Sequence, residues 1–269
     1  MMLSQAFRRL FPRPAPIIGM IHVFEGPPEK QEALAIRDLA MMEHSVDGVI
    51  VENYGWGGQD SLRATDLARD RLLGLARAVA ARADSSGVRV GVNLLPNDFE
   101  YALDLTHQAG ASFVQLDHVT GQFVGDESVD PTKYRQHRRA HPGIVVLGGV
   151  HPKYYQLRNP NTPIGQSARV AMELCDAIVV TGTATGQETS LDDLRAVRSA
   201  VGDFPILVGS GLNIDNLREQ LVVADGAIVG SAFKPGGVQP GSLLNLANIT
   251  EFMAAVRTVR AASSPPRGS

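Results

Sequence analysis

Eight short runs of β-branched and aliphatic residues recur along the chain, and their repetition limits the fold more than any other feature. They occupy residues 16–22, 47–53, 88–94, 113–117, 144–150, 177–181, 205–209 and 226–230. Most are continuously apolar instead of alternating, the pattern of strands buried on both faces of a parallel sheet. Their starts are separated by 21 residues (205 to 226) up to 41 (47 to 88). Helical periodicity predicts helices over 32–43, 62–81, 99–108, 131–140, 166–174, 191–201 and 214–222, with a last one over 251–260. Ser190 with Asp193 has capping-box spacing, and Asn213 or Asp215 is placed to cap the helix after the seventh run. Eight such βα units in about 250 residues describe an α/β fold, a (β/α)8 TIM barrel. A doubly wound open sheet is the alternative, but no G-x-G-x-x-G follows the first run. No internal linker divides the chain. The expectation is a single barrel domain over 16–260, an N-terminal extension over 1–15 and a disordered tail over 261–269.

Composition narrows the setting. The 269 residues carry 25 Lys plus Arg against 28 Asp plus Glu, a net charge of −3. That leaves no basic footprint for nucleic acid. The single cysteine, Cys175, excludes an internal disulfide framework and a Cys-rich metal site, and it fits a cytoplasmic location. No run approaches the ~18 apolar residues of a transmembrane helix. The first eleven residues contain Arg8 and Arg9, lack the apolar core of a secretory signal, and are followed by Pro12, Pro14 and Pro16. They are expected to form a short amphipathic helix covering the barrel bottom or a partner subunit. A membrane-surface anchor is the alternative.

In such barrels ligands bind at the C-terminal ends of the strands. Here those ends gather polar residues: His22, Glu52 and Asn53, Asn93, Asp117 and His118, His151 and Lys153, Thr181 and Thr183, Gly209 to Gly211, and Gly230 with Ser231. The strongest signal is the last pair of turns, Val208-Gly-Ser-Gly-Leu-Asn213 and Ile228-Val-Gly-Ser-Ala-Phe233. Glycine lets backbone N–H groups approach an anion, and the loops after strands seven and eight form the usual phosphate cradle. Gly209, Ser210, Gly211, Gly230 and Ser231 are therefore assigned to a phosphorylated ligand. The competing reading is that they only make tight turns.

Glu52 and Asp117 are the acid–base candidates, with His22 and His151 assisting. A carboxylate at a buried strand end is costly unless paired, coordinating or catalytic. The competing reading has each carboxylate hold a loop by accepting backbone N–H bonds. His118 is expected near Asp117. Asn53, Asn93, Thr181, Thr183 and Lys153 are candidate ligand-binding residues. Lys153 suits phosphate or a Schiff base, or is a solvated lysine. Trp56 suits ring stacking or a subunit interface. No tight metal-ligand spacing occurs, so no cofactor is expected. His and carboxylates at one rim still leave a divalent metal open.

With these residues in view, the chain resembles the BtpA family, which includes SgcQ-type proteins. The likeness runs over roughly 16–257. It is carried by Pro16-Ile-Ile-Gly-Met-Ile-His22, Asp47-Gly-Val-Ile-Val-Glu-Asn-Tyr-Gly55 and Gly91-Val-Asn93. Asp176-Ala-Ile-Val-Val-Thr-Gly-Thr-Ala-Thr-Gly-Gln-Glu-Thr189, Leu207-Val-Gly-Ser-Gly-Leu212 and Ala224-Asp-Gly-Ala-Ile-Val-Gly230 carry the rest. The resemblance implies a TIM barrel and a homo-oligomer. The family's names come from photosystem I biogenesis and from a sugar-related operon. The chain departs from the family pattern around the mouth, at Val23-Phe-Glu-Gly-Pro-Pro28, at Asp117 and at His151-Pro-Lys-Tyr-Tyr155.

The expected function is an enzyme acting on a phosphorylated sugar or nucleotide-like molecule. Acid–base catalysis would serve glycosyl or phosphoribosyl transfer, a lyase step or an isomerisation. The alternatives are a biogenesis factor of the BtpA type and a metal-dependent sugar-phosphate aldolase or epimerase.

Overall fold

A computed structural model describes residues 3–56, 64–124 and 130–263. Eight strands, β1 (Ile17–His22), β2 (Gly48–Glu52), β3 (Arg89–Asn93), β4 (Phe113–Leu116), β5 (Val145–Val150), β6 (Ala177–Val180), β7 (Ile206–Val208) and β8 (Gly226–Val229), pair in parallel in sequence order. β8 pairs back onto β1, so the sheet closes into a TIM barrel. Around it run α1 (Leu3–Leu10), α2 (Pro28–Met42), α3 (Asp66–Ala83), α4 (Phe99–Gln108), α5 (Pro131–Ala140), α6 (Ile164–Ala171), α7 (Leu191–Val201), α8 (Leu217–Val223) and α9 (Leu246–Ser263).

Local chemistry explains where helix ends depart from the sequence reading. α2 begins at Pro28, whose fixed φ suits the first helical position. Thr65 caps α3 by accepting from the Ala68 N–H at 3.2 Å, so that helix starts later than residue 62. Residues 62 and 63 lie outside the described residues. Ser190 accepts from the Asp193 N–H as its spacing predicts. Neither Asn213 nor Asp215 caps α8. Asn213 Oδ1 accepts from the Asp215 and Asn216 N–H groups, and Asn216 Oδ1 accepts from the Asn213 N–H. This reciprocal turn delays the helix to Leu217. α9 starts at Leu246 and continues through residues 261–263. The expected tail thus begins as helix, and its residues 264–269 lie outside the described residues.

Two apolar regions hold the barrel. One fills the space between strands and outer helices. The other is inside the barrel and includes Ile18, Ile50, Phe113, Leu147, Leu207 and Ile228. α1 closes this inner region from below with Phe7 and Phe11, which are 3% and 4% exposed. The Phe11 and Phe113 rings meet edge to face at 5.4 Å. A Cβ on Gly91 would overlap the Phe113 ring at 2.3 Å, so glycine is what admits that ring. α1 thus covers the barrel bottom with its two phenylalanines.

The bottom carries a recurring clamp. Asp47, Asp176 and Asp225 each precede a strand (β2, β6 and β8) in the repeated pattern Asp-[Gly/Ala]-x-[Ile/Val]-Val. Each donates its N–H to the carbonyl of Ile17, Val146 or Ile206 on the preceding strand. The same carboxylate then accepts that residue's N–H, at 2.8 Å in all three cases. A helix arginine completes each clamp: Arg260 on Asp47, Arg138 on Asp176 and Arg198 on Asp225. These clamps set the strand register at β1–β2, β5–β6 and β7–β8.

Breaking a buried ion pair strands the remaining charge. Asp176→Ala is expected to lower unfolding free energy by about 3–5 kcal/mol in urea denaturation. Asp192→Ala, which removes an exposed pair with Arg195, is expected to cost less than about 1 kcal/mol. Equal effects would contradict the clamp.

Candidate active site

At the top of the barrel the register aligns His22 with Glu52, Glu52 with Asn93, and Asn93 with Gln115. Side chains alternate in a strand, so residues aligned in register share a face. All four line a cavity of about 130 Å³ at the strand ends. Glycines Gly149, Gly209 and Gly230 form the facing wall on β5–β8. The mouth therefore carries its carboxylates, imidazole and amides on β1–β4, and glycine backbone beside the Lys153 and Thr181 side chains on β5–β8. Two lining atoms, Gln115 Oε1 and Thr181 Oγ1, are buried without a hydrogen-bond partner among the described residues.

Glu52 is buried, and its Oε2 accepts from Asn93 Nδ2 at 2.8 Å. Burial is the main reason that its carboxyl is raised from an ordinary 4.5 to about 7, with the Asp117 charge adding to the effect. Lys153, Asn93 and Lys234 oppose the shift. At neutrality the group is divided between acid and carboxylate, the condition for moving a proton in either direction. His22 Nε2 lies 3.9 Å from Glu52 Oε1. Burial first, then Lys234 and Lys153, hold the His22 pKa well below its ordinary value, so the ring is neutral. Asp117 lines the cavity and accepts from the Tyr155 hydroxyl at 3.1 Å.

The glycine turns are in place. Ser210, Gly211, Gly230 and Ser231 line the cavity, and their backbone N–H groups donate to no protein acceptor among the described residues. The Ser210 hydroxyl is not free for a ligand. It accepts from the Gly182 N–H at 2.7 Å and donates to the Gln187 carbonyl at 3.0 Å. A Cβ on Gly230 would lie 2.6 Å from His22 Cε1, so that glycine also makes room for the imidazole. Thr181 and Lys153 line the same cavity.

Five expected site residues lie elsewhere. His151 adopts φ +46° and turns its ring to Ser167 Oγ, at 2.9 Å. His118 is buried against the Phe123 and Tyr155 rings. Asn53 uses its amide to clasp the Leu95 N–H and carbonyl, both at 2.8 Å. Thr183 is exposed and outside the lining. Trp56 packs against the helix–barrel core and does not line the cavity.

A profile of the BtpA family matches residues 14–258. The chain belongs to the BtpA family. An uncharacterized protein of Pyrococcus furiosus is 32% identical over 82% of this chain and 87% of its own length. The photosystem I biogenesis protein BtpA of Synechocystis is 28% identical over 82% of this chain and 81% of its own. Among solved structures, the Pyrococcus furiosus N-(5'-phosphoribosyl)anthranilate isomerase superposes with a TM-score of 0.56 at 16% identity, covering 91% of this chain and 99% of the other. The Leishmania donovani OMP decarboxylase gives 0.60 at 12% identity, covering 98% and 100%. These structural likenesses establish the fold.

One residue of this BtpA-family site escaped the sequence reading. Lys234 follows the 3-10 turn at Ser231–Phe233 and is only 3% exposed. Its Nζ lies 3.2 Å from His22 Nδ1. Behind it Asp38 of α2 is buried, and burial raises its carboxyl to about 6. The only local sign was a lysine in the apolar run Ala232-Phe-Lys-Pro235.

A carboxyl that ionises at 4.5 when unfolded and about 7 when folded destabilises the folded state progressively between those values as pH rises. The full cost above pH 7 is about 3 kcal/mol. Glu52→Gln keeps the acceptor for Asn93 and cannot ionise. It is expected to be more stable than the parent by up to about 3 kcal/mol at pH 8, with no advantage near pH 4. Urea denaturation at both pH values measures this.

Proposed function

We propose that this protein is an enzyme acting on a phosphorylated sugar or nucleotide-like small molecule, with Glu52 moving the proton. The observation that carries the reading is the Glu52 carboxyl, dry and poised near neutrality, facing turns whose backbone N–H groups have no protein acceptor among the described residues. Such turns suit a phosphate dianion, and Lys153 adds positive charge at the same mouth. The anion would anchor on the β5–β8 half, leaving the attached carbon skeleton against Glu52, His22 and Asp117. Asn93 orients Glu52 through its Oε2, so Oε1 is the oxygen presented to a ligand.

The metal-dependent aldolase or epimerase reading lacks support of the same kind. Among the described residues no three His, Cys, Asp or Glu side chains gather as a ligand set. A biogenesis role rests on the likeness to the Synechocystis protein. No helix among the described residues is long and apolar enough to cross a membrane.

Ser231→Asp tests the anion grip, because Ser231 lines the turn and its hydroxyl makes no hydrogen bond among the described residues. Ribose 5-phosphate binding, measured by calorimetry, is expected to weaken at least about tenfold with unchanged Tm, since like-charge juxtaposition costs several kcal/mol. Undiminished affinity would remove the assignment. On any substrate that turns over, Glu52→Gln is expected to bind and to lose at least about a hundredfold in kcat.

A further inference from the structure

We propose that Lys234 is a positioning residue that fixes the His22 imidazole as an Nε2–H donor, suiting the Glu52–His22 pair to a substrate with an acidic C–H beside a carbonyl. The inference rests on the reading of Glu52 as the proton-transfer group, and it adds the kind of bond on which that group acts.

The argument begins with hydrogen-bond capacity. An ammonium has three donors and no acceptor. Lys234 Nζ lies 3.2 Å from His22 Nδ1, so Nδ1 accepts and carries no proton. The single proton of the ring is then on Nε2, the atom that faces Glu52 Oε1 at 3.9 Å. Burial is the largest influence on Lys234 and lowers its pKa, and two neighbouring carboxyls oppose that shift. Asp38 and Glu52 both favour the ammonium, and the Phe24 ring lies 5.3 Å from it. The charged and aromatic groups that act on His22 among the described residues are Lys234 beyond β8, Lys153 beyond β5, Glu52 on β2 and the edge-on ring of Tyr54 at 5.3 Å. Two are cations that oppose a second proton, and burial opposes it too. A second proton would also set Nδ1–H against the ammonium.

An imidazole in that state donates at Nε2 and does not accept there. It faces the same space as a carboxylate, across a gap too long for their direct hydrogen bond. A base paired with a neutral imidazole donor is an arrangement for proton abstraction next to a carbonyl. Glu52 takes the proton from the carbon. The C–H electron pair becomes the new C=C bond while the carbonyl π pair moves to oxygen. The resulting oxyanion accepts from His22 Nε2–H. His22 Nε2 gives its proton to that oxyanion and takes back the proton of the hydroxyl on the carbon that lost its hydrogen, and Glu52 protonates the former carbonyl carbon as the second oxygen becomes the carbonyl, which completes an isomerisation without an external oxidant. The substrate class is a phosphorylated hydroxy-aldehyde or hydroxy-ketone, its phosphate on the glycine turns.

Two measurements test this on the full chain. The first is nitrogen-15 NMR of the histidine rings, with the His22 signal assigned by its loss in His22→Gln. In the parent, Nε2 is expected to be protonated and Nδ1 bare from pH 5.5 to 8. In Lys234→Met, which preserves side-chain length, the two tautomers are expected to mix. Protonation of Nδ1 in the parent, an ordinary titration near 6.5, or an unchanged pattern in Lys234→Met would each overturn the positioning role. The second is calorimetry with two probes. 2-Phosphoglycolate pairs a phosphate with a planar carboxylate resembling the enediolate, whereas glycerol 3-phosphate offers the phosphate alone. The parent is expected to prefer 2-phosphoglycolate at least about tenfold, and Lys234→Met to lose the preference while keeping glycerol 3-phosphate affinity. Equal binding of both probes overturns the carbonyl substrate class and leaves the phosphate grip standing. Binding of neither overturns the phosphate grip and the substrate class together, and the NMR result then decides the role of Lys234 by itself.

Discussion

Closing eight parallel strands on themselves forces every second side chain into one shared interior, and neighbours in register face the same way. Everything at the mouth follows from that constraint. Ile18, Ile50, Phe113 and Leu147 fill the lower interior, and the same inward-facing series ends in His22, Glu52, Asn93 and Gln115. A slip of one residue on β2 would send Glu52 toward the helices and bring Val51 inward. The aspartate clamps at the opposite end oppose such a slip, since each ties a strand start to its neighbour at two backbone atoms. Stability at the bottom thus positions chemistry at the top.

The mouth works against its own solvation. Asp38, Lys234, His22 and Glu52 form a file of titratable groups, all largely withdrawn from water. Burial is the leading influence on each, raising both carboxyls and lowering both bases. A core selected only for stability would replace such groups with aliphatic residues. Their retention beside a cavity is the kind of local cost that marks a functional site. The division of the mouth assigns separate tasks. In the proposed function the glycine backbone and Lys153 on β5–β8 take the anion, and side chains on β1–β4 handle protons.

The barrel was legible because burial on both faces writes strands as unbroken apolar runs, and the eight runs contain the eight strands. The site was legible where strand geometry alone decides. Glu52, Asn93 and His22 are inward-facing strand residues, and alternation also explains Asn53, which follows Glu52 and so turns outward to clasp Leu95. Beyond the strand ends periodicity has no hold. His151 continues the inward series of β5 by count, but its positive φ swings the ring to Ser167. Lys234 is brought back to His22 by a single 3-10 turn, a fold-back with no periodic signature. The Ser210 hydroxyl looked available because the loop it ties down, Gly182 to Gln187, is distant in sequence.

The plug at the base of the barrel has a consequence for how the molecule is made. Phe7 and Phe11 precede β1, yet they rest among residues of β4, β5 and β6, and Arg8 reaches the carbonyl of Asp203. During synthesis these aromatics emerge from the ribosome well before the strands that shelter them. The segment that stoppers the finished barrel therefore waits for β4, β5 and β6 before its cover is complete.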